Sequence, residues 1–313
     1  MNSSQIQSPL TQTKNIRLLQ TYSPADLAAQ WKKAFGIDLD SQFISIERIQ
    51  LWECLDTGLR WFEPPEAAGQ GSLYAQLQNM SWYYMDDKWE FSLATSYLSS
   101  GDRALEVGVG KGAFLQKCLT KGVDIAGIEL NLVAAERLRQ QGFSIYDESL
   151  EHLPKFLGSE SFDTICSFQV LEHVSSPLQF LQQMLLNLKP GGHLILSVPN
   201  SKFMERVDPH HSNLLNQPPH HMSHWSLKVF HSLEKILPVK LVASFDEPLA
   251  KYHIDWYVRE RLRHLFSING YKATRLLFNR YTLKPIVLLL GAGPHRLMLG
   301  HSLLVVLRKT YNQ

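Results

Sequence analysis

Two groups of residues in this chain have the types and spacing to do chemistry. The first is a run of glycines behind a short apolar stretch, Arg103-Ala-Leu-Glu-Val-Gly-Val-Gly-Lys-Gly-Ala-Phe-Leu115. A second apolar run, Val123-Asp-Ile-Ala-Gly-Ile-Glu129, follows it and ends in a carboxylate. Gly108, Gly110 and Gly112 remove side chains where the backbone must turn and a ligand must approach it. The helix that opens after them presents unpaired N–H groups. The two oxygens of Glu129 suit a pair of ribose hydroxyls, so the pattern predicts a nucleotide site. Spacing alone leaves the ligand open, because Gly108-x-Gly110-x-x-Ala113 also meets the dinucleotide fingerprint of NAD(P) oxidoreductases.

The second group can move a proton. Histidine is the natural base near neutral pH, and two segments supply it: Glu172-His173 and Asn216-Gln-Pro-Pro-His-His-Met-Ser-His-Trp225. Five histidines lie between 210 and 224, which raises a metal cluster as an alternative. Carboxylates are scarce there and no H-x-x-x-H helix is evident, so no metal is expected. A structural alternative is that Pro218 and Pro219 stiffen the loop while a histidine caps the helix that follows.

Glu106, two residues before the first glycine, extends the glycine run to E-x-G-x-G-x-G. Ser161-Phe-Asp-Thr-Ile-Cys-Ser-Phe-Gln-Val-Leu-Glu-His-Val174 and Leu188-Lys-Pro-Gly-Gly-His-Leu-Ile-Leu-Ser-Val-Pro-Asn200 follow in order. Together these resemble the motifs of class I S-adenosylmethionine-dependent methyltransferases over roughly residues 100 to 245, with a last strand near 300 to 308. The resemblance implies that Glu106 helps to hold the methionine end of the cofactor. It implies a cofactor site of Glu106, Gly108, Gly110, Gly112, Glu129, Leu130, Ser149, Leu150, Phe168 and Gln169. On the acceptor side it places Glu172, His173, His220 and His221, with Lys189-Pro-Gly-Gly192 as the turn into the fifth strand. The chain is similar to ubiquinone-pathway O-methyltransferases and to methyltransferases of bacterial surface-glycan pathways. The implied activity is therefore O-methylation of a small or lipid-linked acceptor. An NAD(P) oxidoreductase and a non-catalytic cofactor-binding module are the alternatives.

These residues need a scaffold, and the order of elements supplies one. Strands are predicted near 103–107, 123–129, 143–146, 162–168, 193–198, 239–245 and 301–308. Helices are predicted over 112–121, 131–141, 177–188 and 227–237, the last with Ser226 as N-cap and Pro238 as its stop. That alternation predicts an α/β fold, a Rossmann-like, seven-stranded, mostly parallel, doubly wound sheet. The domains read as an N-terminal extension (1–99), a cofactor-binding core (100–249), a helical insertion (250–297), and a last strand with the C-terminus (298–313). In the extension, Leu51-Trp-Glu-Cys-Leu-Asp-Thr-Gly-Leu-Arg-Trp-Phe-Glu-Pro-Pro65 resembles a zinc-ribbon knuckle found before the catalytic domain in one bacterial branch of these enzymes. Thr57 stands at its second cysteine position, so a hairpin held by Leu51, Trp52, Leu59, Trp61 and Phe62 is expected instead of a metal site. The aromatic run Trp82-Tyr-Tyr-Met-Asp-Asp-Lys-Trp-Glu-Phe91 resembles a helical lid over the cofactor.

Composition bounds the partners. The chain has 313 residues, 44% of them hydrophobic, enough for a full core, and a net charge of +2 argues against a general nucleic-acid binder. Three scattered cysteines suit a reducing cytoplasm. The opening residues have no basic region followed by an apolar core, so no signal peptide is expected. Residues 251–284 are the exception in charge: eight Lys or Arg against Asp255 and Glu260, a net of +6. Apolar residues interleave with those charges at helical spacing. The segment is expected either to cover one end of the sheet or to meet an anionic acceptor or membrane surface.

Overall fold

The structure, a computed structural model, describes residues 6–77, 80, 83, 87–152, 159–265 and 280–311. Trp82 and Tyr84 of the aromatic run, and the stretch 266–279 of the insertion, lie outside the described residues.

Among the described residues eleven strands form two sheets. In chain order they are β1 Ile16–Tyr22, β2 Ile49–Cys54, β3 Arg60–Glu63, β4 Arg103–Val107, β5 Asp124–Ile128 and β6 Ser144–Tyr146. Next come β7 Phe162–Phe168, β8 Leu188–Pro199, β9 Ser223–His224, β10 Val239–Pro248 and β11 Leu299–Lys309. The larger sheet has seven strands in the order β10-β11-β8-β7-β4-β5-β6. Its β8-β7-β4-β5-β6 portion is parallel, and β11 runs antiparallel to both neighbours. This is the doubly wound sheet the sequence predicts. Side chains of a strand alternate faces, and the core divides accordingly. Leu105, Val107, Ile165, Leu194, Leu196 and Val305 pack on one side. Ala104, Cys166, Ile195, Leu304 and Val306 pack on the other.

Two local expectations change. The Lys189–Gly192 turn is absorbed into β8, where pairing jumps from Phe162↔Leu188 to Thr164↔His193. Gly191, at φ 79°, makes that excursion without a Cβ penalty. The helix after β9 is also shorter than predicted, Leu227–Ser232 followed by a 3-10 turn Leu233–Lys235. Ser226 sits at its N-cap position, but its hydroxyl makes no capping bond. The side chains of Asn131 and Asn200 do cap, opening the helices Leu132–Gln140 and Ser201–Val207 directly after β5 and β8.

The smaller sheet has the order β1-β2-β3-β9. The predicted hairpin is β2–β3, with Leu51, Trp52, Leu59, Trp61 and Phe62 all buried. Its fourth strand, β9, comes from the histidine-rich loop, so the N-terminal extension and the core share that loop. In the insertion, helices Ile254–Leu265 and Arg280–Gly291 cluster with Ser201–Val207 through Phe203, Met204, Ile254, Val258 and Leu283. Arg259 is tied to Asp255 at 2.7 Å, and Arg261 donates to the Arg206 carbonyl at 3.1 Å. Among the described residues no helix is long and apolar enough to cross a membrane.

Gly112 shows how tightly the glycine turn is built. Its φ is 83°, and a Cβ there would lie 2.7 Å from Leu138 Cδ2. Gly112→Ala combines left-handed strain with overpacking, and is expected to lower unfolding free energy by about 2 kcal/mol. Urea denaturation checks this, and an unchanged midpoint would refute the packing role.

Candidate active site

Strand β4 ends at Val107 and the chain turns through Gly108, Val109 and Gly110 before the helix Ala113–Thr120. Gly108 has φ 84°, and a Cβ on it would come within 2.4 Å of Val170 Cγ2, so no larger residue fits. The neighbouring strand β5 delivers Glu129 to the same edge. One Glu129 oxygen accepts from Gly110 N–H at 3.0 Å and the other from Asn131 N–H at 2.9 Å. Each oxygen keeps further lone-pair capacity for a ligand hydroxyl. The carboxylate therefore fixes the glycine turn as well as facing the cavity.

Glu106 is buried beneath this turn, and its Oε2 has no hydrogen-bond partner. Burial holds its pKa well above the usual carboxylate range, opposed by Lys88 and helped by Glu129. An unpartnered buried oxygen is costly unless a ligand satisfies it.

The turn opens into a cavity of about 1610 Å³. Small-molecule sites usually measure about 300–1,000 Å³, so there is room here for a cofactor and an acceptor together. Of the cofactor residues named from sequence, Glu106, Gly108, Gly110, Glu129, Leu130, Ser149, Leu150, Phe168 and Gln169 all line it. Gly112 does not line it. The third glycine serves the packing of its helix against Leu138 instead.

The same cavity reaches Glu172, His173, His220 and His221. Two loops bring them together: the turn after β7, and the loop that ends in β9. The backbone of Met222 joins them, its N–H donating to the Glu172 carbonyl at 2.7 Å and its carbonyl accepting from Phe62 N–H at 2.9 Å. The rings of His220 and His221 stack at 4.5 Å between centroids, and His173 stands edge-on to both at 4.6 and 5.0 Å.

Each of the three rings has Nδ1 against an oxygen. His173 meets the His220 carbonyl, His220 the Leu215 carbonyl at 2.9 Å, and His221 the Asn216 Oδ1 at 3.1 Å. Those acceptors set the tautomer with the proton on Nδ1 and the lone pair on Nε2. Burial lowers the pKa of His173 to about 4 and of His220 to about 3, and takes His221 well below its ordinary value. Glu172, fully buried with neither oxygen partnered, is raised to about 8 by desolvation. The histidine that was to cap the following helix is instead committed elsewhere: His224 Nε2 bonds the Asn216 carbonyl at 2.8 Å.

Sequence reasoning missed Lys88, Glu90, Glu247, Tyr252, His253, His301 and Ser302, which also line the cavity. Ser197 Oγ bonds Glu90 at 3.3 Å, and Ser302 N–H bonds Glu247 at 2.9 Å. Lys88 and Glu90 sat within the aromatic run and carried a signal. The others come from the ends of β10 and β11 and the start of the insertion, and share no local pattern.

A family model described as a methyltransferase domain matches residues 77–276. The chain belongs to that family. Its cofactor is S-adenosylmethionine, and the dinucleotide alternative left open by the glycine spacing closes. A tRNA U34 carboxymethyltransferase of Idiomarina loihiensis is 30% identical over 153 residues, 45% of this chain and 46% of that protein. A ubiquinone biosynthesis O-methyltransferase of Histophilus somni is 33% identical over 110 residues, 32% of this chain and 46% of that protein. The chain thus spans less than half the length of these curated relatives. An S-adenosylmethionine-dependent methyltransferase structure from Mesorhizobium loti aligns with TM-score 0.48 at 17% identity, covering 72% of this chain and 99% of that one.

Two predictions follow from the geometry. Glu129→Ala removes both the anchor of the glycine turn and a charged acceptor. It is expected to weaken S-adenosylhomocysteine binding about ten- to a hundredfold, and unchanged affinity by calorimetry in a folded variant would refute the assignment. The second concerns His224, whose pKa burial lowers to about 4. Because the folded value lies below the unfolded one, the unfolded chain takes up the proton first. Stability is complete above about pH 6.5 and is lost as pH falls toward 4. In His224→Gln, which keeps a donor at the Nε2 position, the stability lost between pH 6.5 and 4.5 is expected to shrink by about 2 kcal/mol. Equal losses in parent and variant, by denaturant titration at each pH, would refute it.

Proposed function

We propose that this protein transfers a methyl group from S-adenosylmethionine to a hydroxyl oxygen of a small or lipid-linked acceptor, and that the acceptor enters the histidine end of the cavity. The observation that carries this reading is the continuity of one cavity from Glu106, Gly110 and Glu129 to His173, His220 and His221. When bound, the cofactor supplies an electrophilic methyl group on a sulfonium. The residues present fit it: the orphaned Glu106 oxygen suits an ammonium group, and Glu129 suits ribose hydroxyls.

What remains for the chain is alignment, exclusion of water and removal of a proton. Tyr74, Tyr83, Trp89 and Phe91 line the cavity and shield it. This is how the N-terminal aromatic segment contributes to the site. His173 and His221 line the cavity and are proposed as the groups that take the acceptor's proton. Glu172 lies behind them, its Oε1 3.9 Å from His173 Nε2. The relatives named for ubiquinone biosynthesis support an oxygen acceptor of the quinone type. The basic segment near 251–284, of which 266–279 lies outside the described residues, is proposed to meet an anionic carrier or membrane surface, and no nucleic-acid partner is proposed. The relatives named for tRNA make total tRNA the necessary comparison.

Labelled cofactor incubated with a quinol precursor, lipid extract and total tRNA, followed by mass spectrometry, tests the reading. His173→Ala and His221→Ala are expected to lower turnover about a hundredfold while leaving S-adenosylhomocysteine affinity intact. A loss below threefold in both would remove the histidines from proton transfer. Label in tRNA alone would replace the small acceptor by a nucleic acid, and label in no fraction would favour a binding module.

A further inference from the structure

The sequence argues against a metal because carboxylates are scarce around the histidines of 210–224 and no helical ligand spacing is evident. The fold changes the premise by bringing in His173 from a different loop. One ligand atom each from His173, His220 and His221 now lies within 4.8 Å of the others. An ion held tetrahedrally at about 2.1 Å from each nitrogen needs them about 3.4 Å apart, so modest ring rotation closes the set.

Three further observations point to a cation and not to a packed cluster. First, the Nδ1 atoms of all three rings lie against oxygens, two of them backbone carbonyls. That is the outer-shell arrangement that orients metal-bound histidines and leaves the Nε2 lone pairs for the ion. Second, His220 is buried, yet its Nε2 has no partner. Third, Glu172 is 1% exposed and both its oxygens are unpartnered beside His173. Three buried polar atoms left without partners in one small cluster call for an explanation. A cation among them accounts for all of them together: the imidazoles bind it, and the carboxylate balances its charge.

We propose that His173, His220 and His221 form a three-histidine site for a divalent transition-metal ion of zinc's class, with the fourth position open to the cavity. Three neutral imidazoles with an open position is the donor set of a catalytic rather than a structural site. The oxygen that fills the fourth position is the acceptor hydroxyl, and in this respect alone the inference rests on the function proposed above. There the ion would polarise the acceptor's O–H bond, and with the imidazole lone pairs on the ion the proton would pass to the Glu172 carboxylate, which lines the same cavity, so that in the loaded protein the histidines act as ligands and not as the base.

The full-length protein, stripped with chelator and dialysed, is titrated with zinc chloride and separately with cobalt chloride. One equivalent of zinc that survives gel filtration, with a tetrahedral cobalt band in the visible spectrum, is the expected result. His220→Asn keeps a donor for the Leu215 carbonyl but has nothing at Nε2, so it should fold and lose the equivalent. His221→Asn does the same with a donor for Asn216 Oδ1, should the change at 220 unfold the chain. His224→Gln lies on the same loop, outside the cluster, and should keep the ion. Absence of stoichiometric zinc and cobalt in the parent overturns the site, as does retention of the ion by both asparagine variants or its loss from His224→Gln. S-adenosylhomocysteine binding to the stripped protein is measured alongside. If it persists while no ion binds, the metal site fails and the cofactor reading stands.

Discussion

The backbone of one residue, Met222, joins the two halves of this molecule. Its N–H is bonded to the Glu172 carbonyl in the large sheet's loop, and its carbonyl to Phe62 N–H in the small sheet. Both bonds are buried, and a buried peptide group without partners costs free energy comparable to a lost hydrogen bond. The loop carrying His220 and His221 is consequently fixed against His173 on one side and the N-terminal sheet on the other. The His173 Nδ1 contact with the His220 carbonyl and the Gly69 N–H bond to the Pro219 carbonyl reinforce the same arrangement. The placement of β9 as the fourth strand of the small sheet continues the same constraint two residues further along.

The glycine turn is held in a comparable way from the opposite end of the cavity. Glu129 accepts two backbone N–H groups, one from the turn and one from the helix start that Asn131 then caps. The turn is pre-formed, so a ligand arriving there does not bear the entropy of ordering it. Glu106 supplies the complementary element: a buried oxygen left unsatisfied, in a position where ligand binding removes the penalty.

The large sheet was legible in the sequence because its signals are local. Strands such as Arg103–Val107 and Phe162–Phe168 are short runs buried on both faces, and Gly108 and Gly110 follow the first where the backbone turns with positive φ. Nine of the ten proposed cofactor residues line the cavity for the same reason: they sit at strand ends whose order the fold dictates. Gly112 departs from them because a glycine that admits a neighbouring helix and a glycine that admits a ligand look alike in sequence. The small sheet was only half legible. Its β2–β3 hairpin shows apolar runs around a tight turn, but β1 alternates weakly, with Leu18 exposed, and β9 is two residues long. The sequence places His173, His220 and His221 on the same side of the site, but the ring-to-ring packing of the three has no local signal, since 47 residues separate His173 from His220.

The knuckle around Cys54 shows how this arrangement is supported without a zinc ribbon. Thr57, at the position of a second thiol, accepts Leu59 N–H through its hydroxyl at 3.1 Å, and Gly58 N–H bonds the Cys54 carbonyl at 2.7 Å. The chain's first described residues close the remaining space. Ile6 and Leu10 are buried against the hairpin, Leu55 N–H bonds the Asn15 carbonyl, and Asp56 accepts from Thr13 and Asn15. Hydrogen bonds and apolar packing thus hold the knuckle locally, and Cys54 is buried with its Sγ 3.7 Å from Thr11 Oγ1. The consequence reaches the active site. The hairpin that carries Phe62, and through it Met222 and the histidine loop, keeps its shape whatever metal is available to the protein, so an ion bound at the histidines would act on the chemistry without being needed for the scaffold.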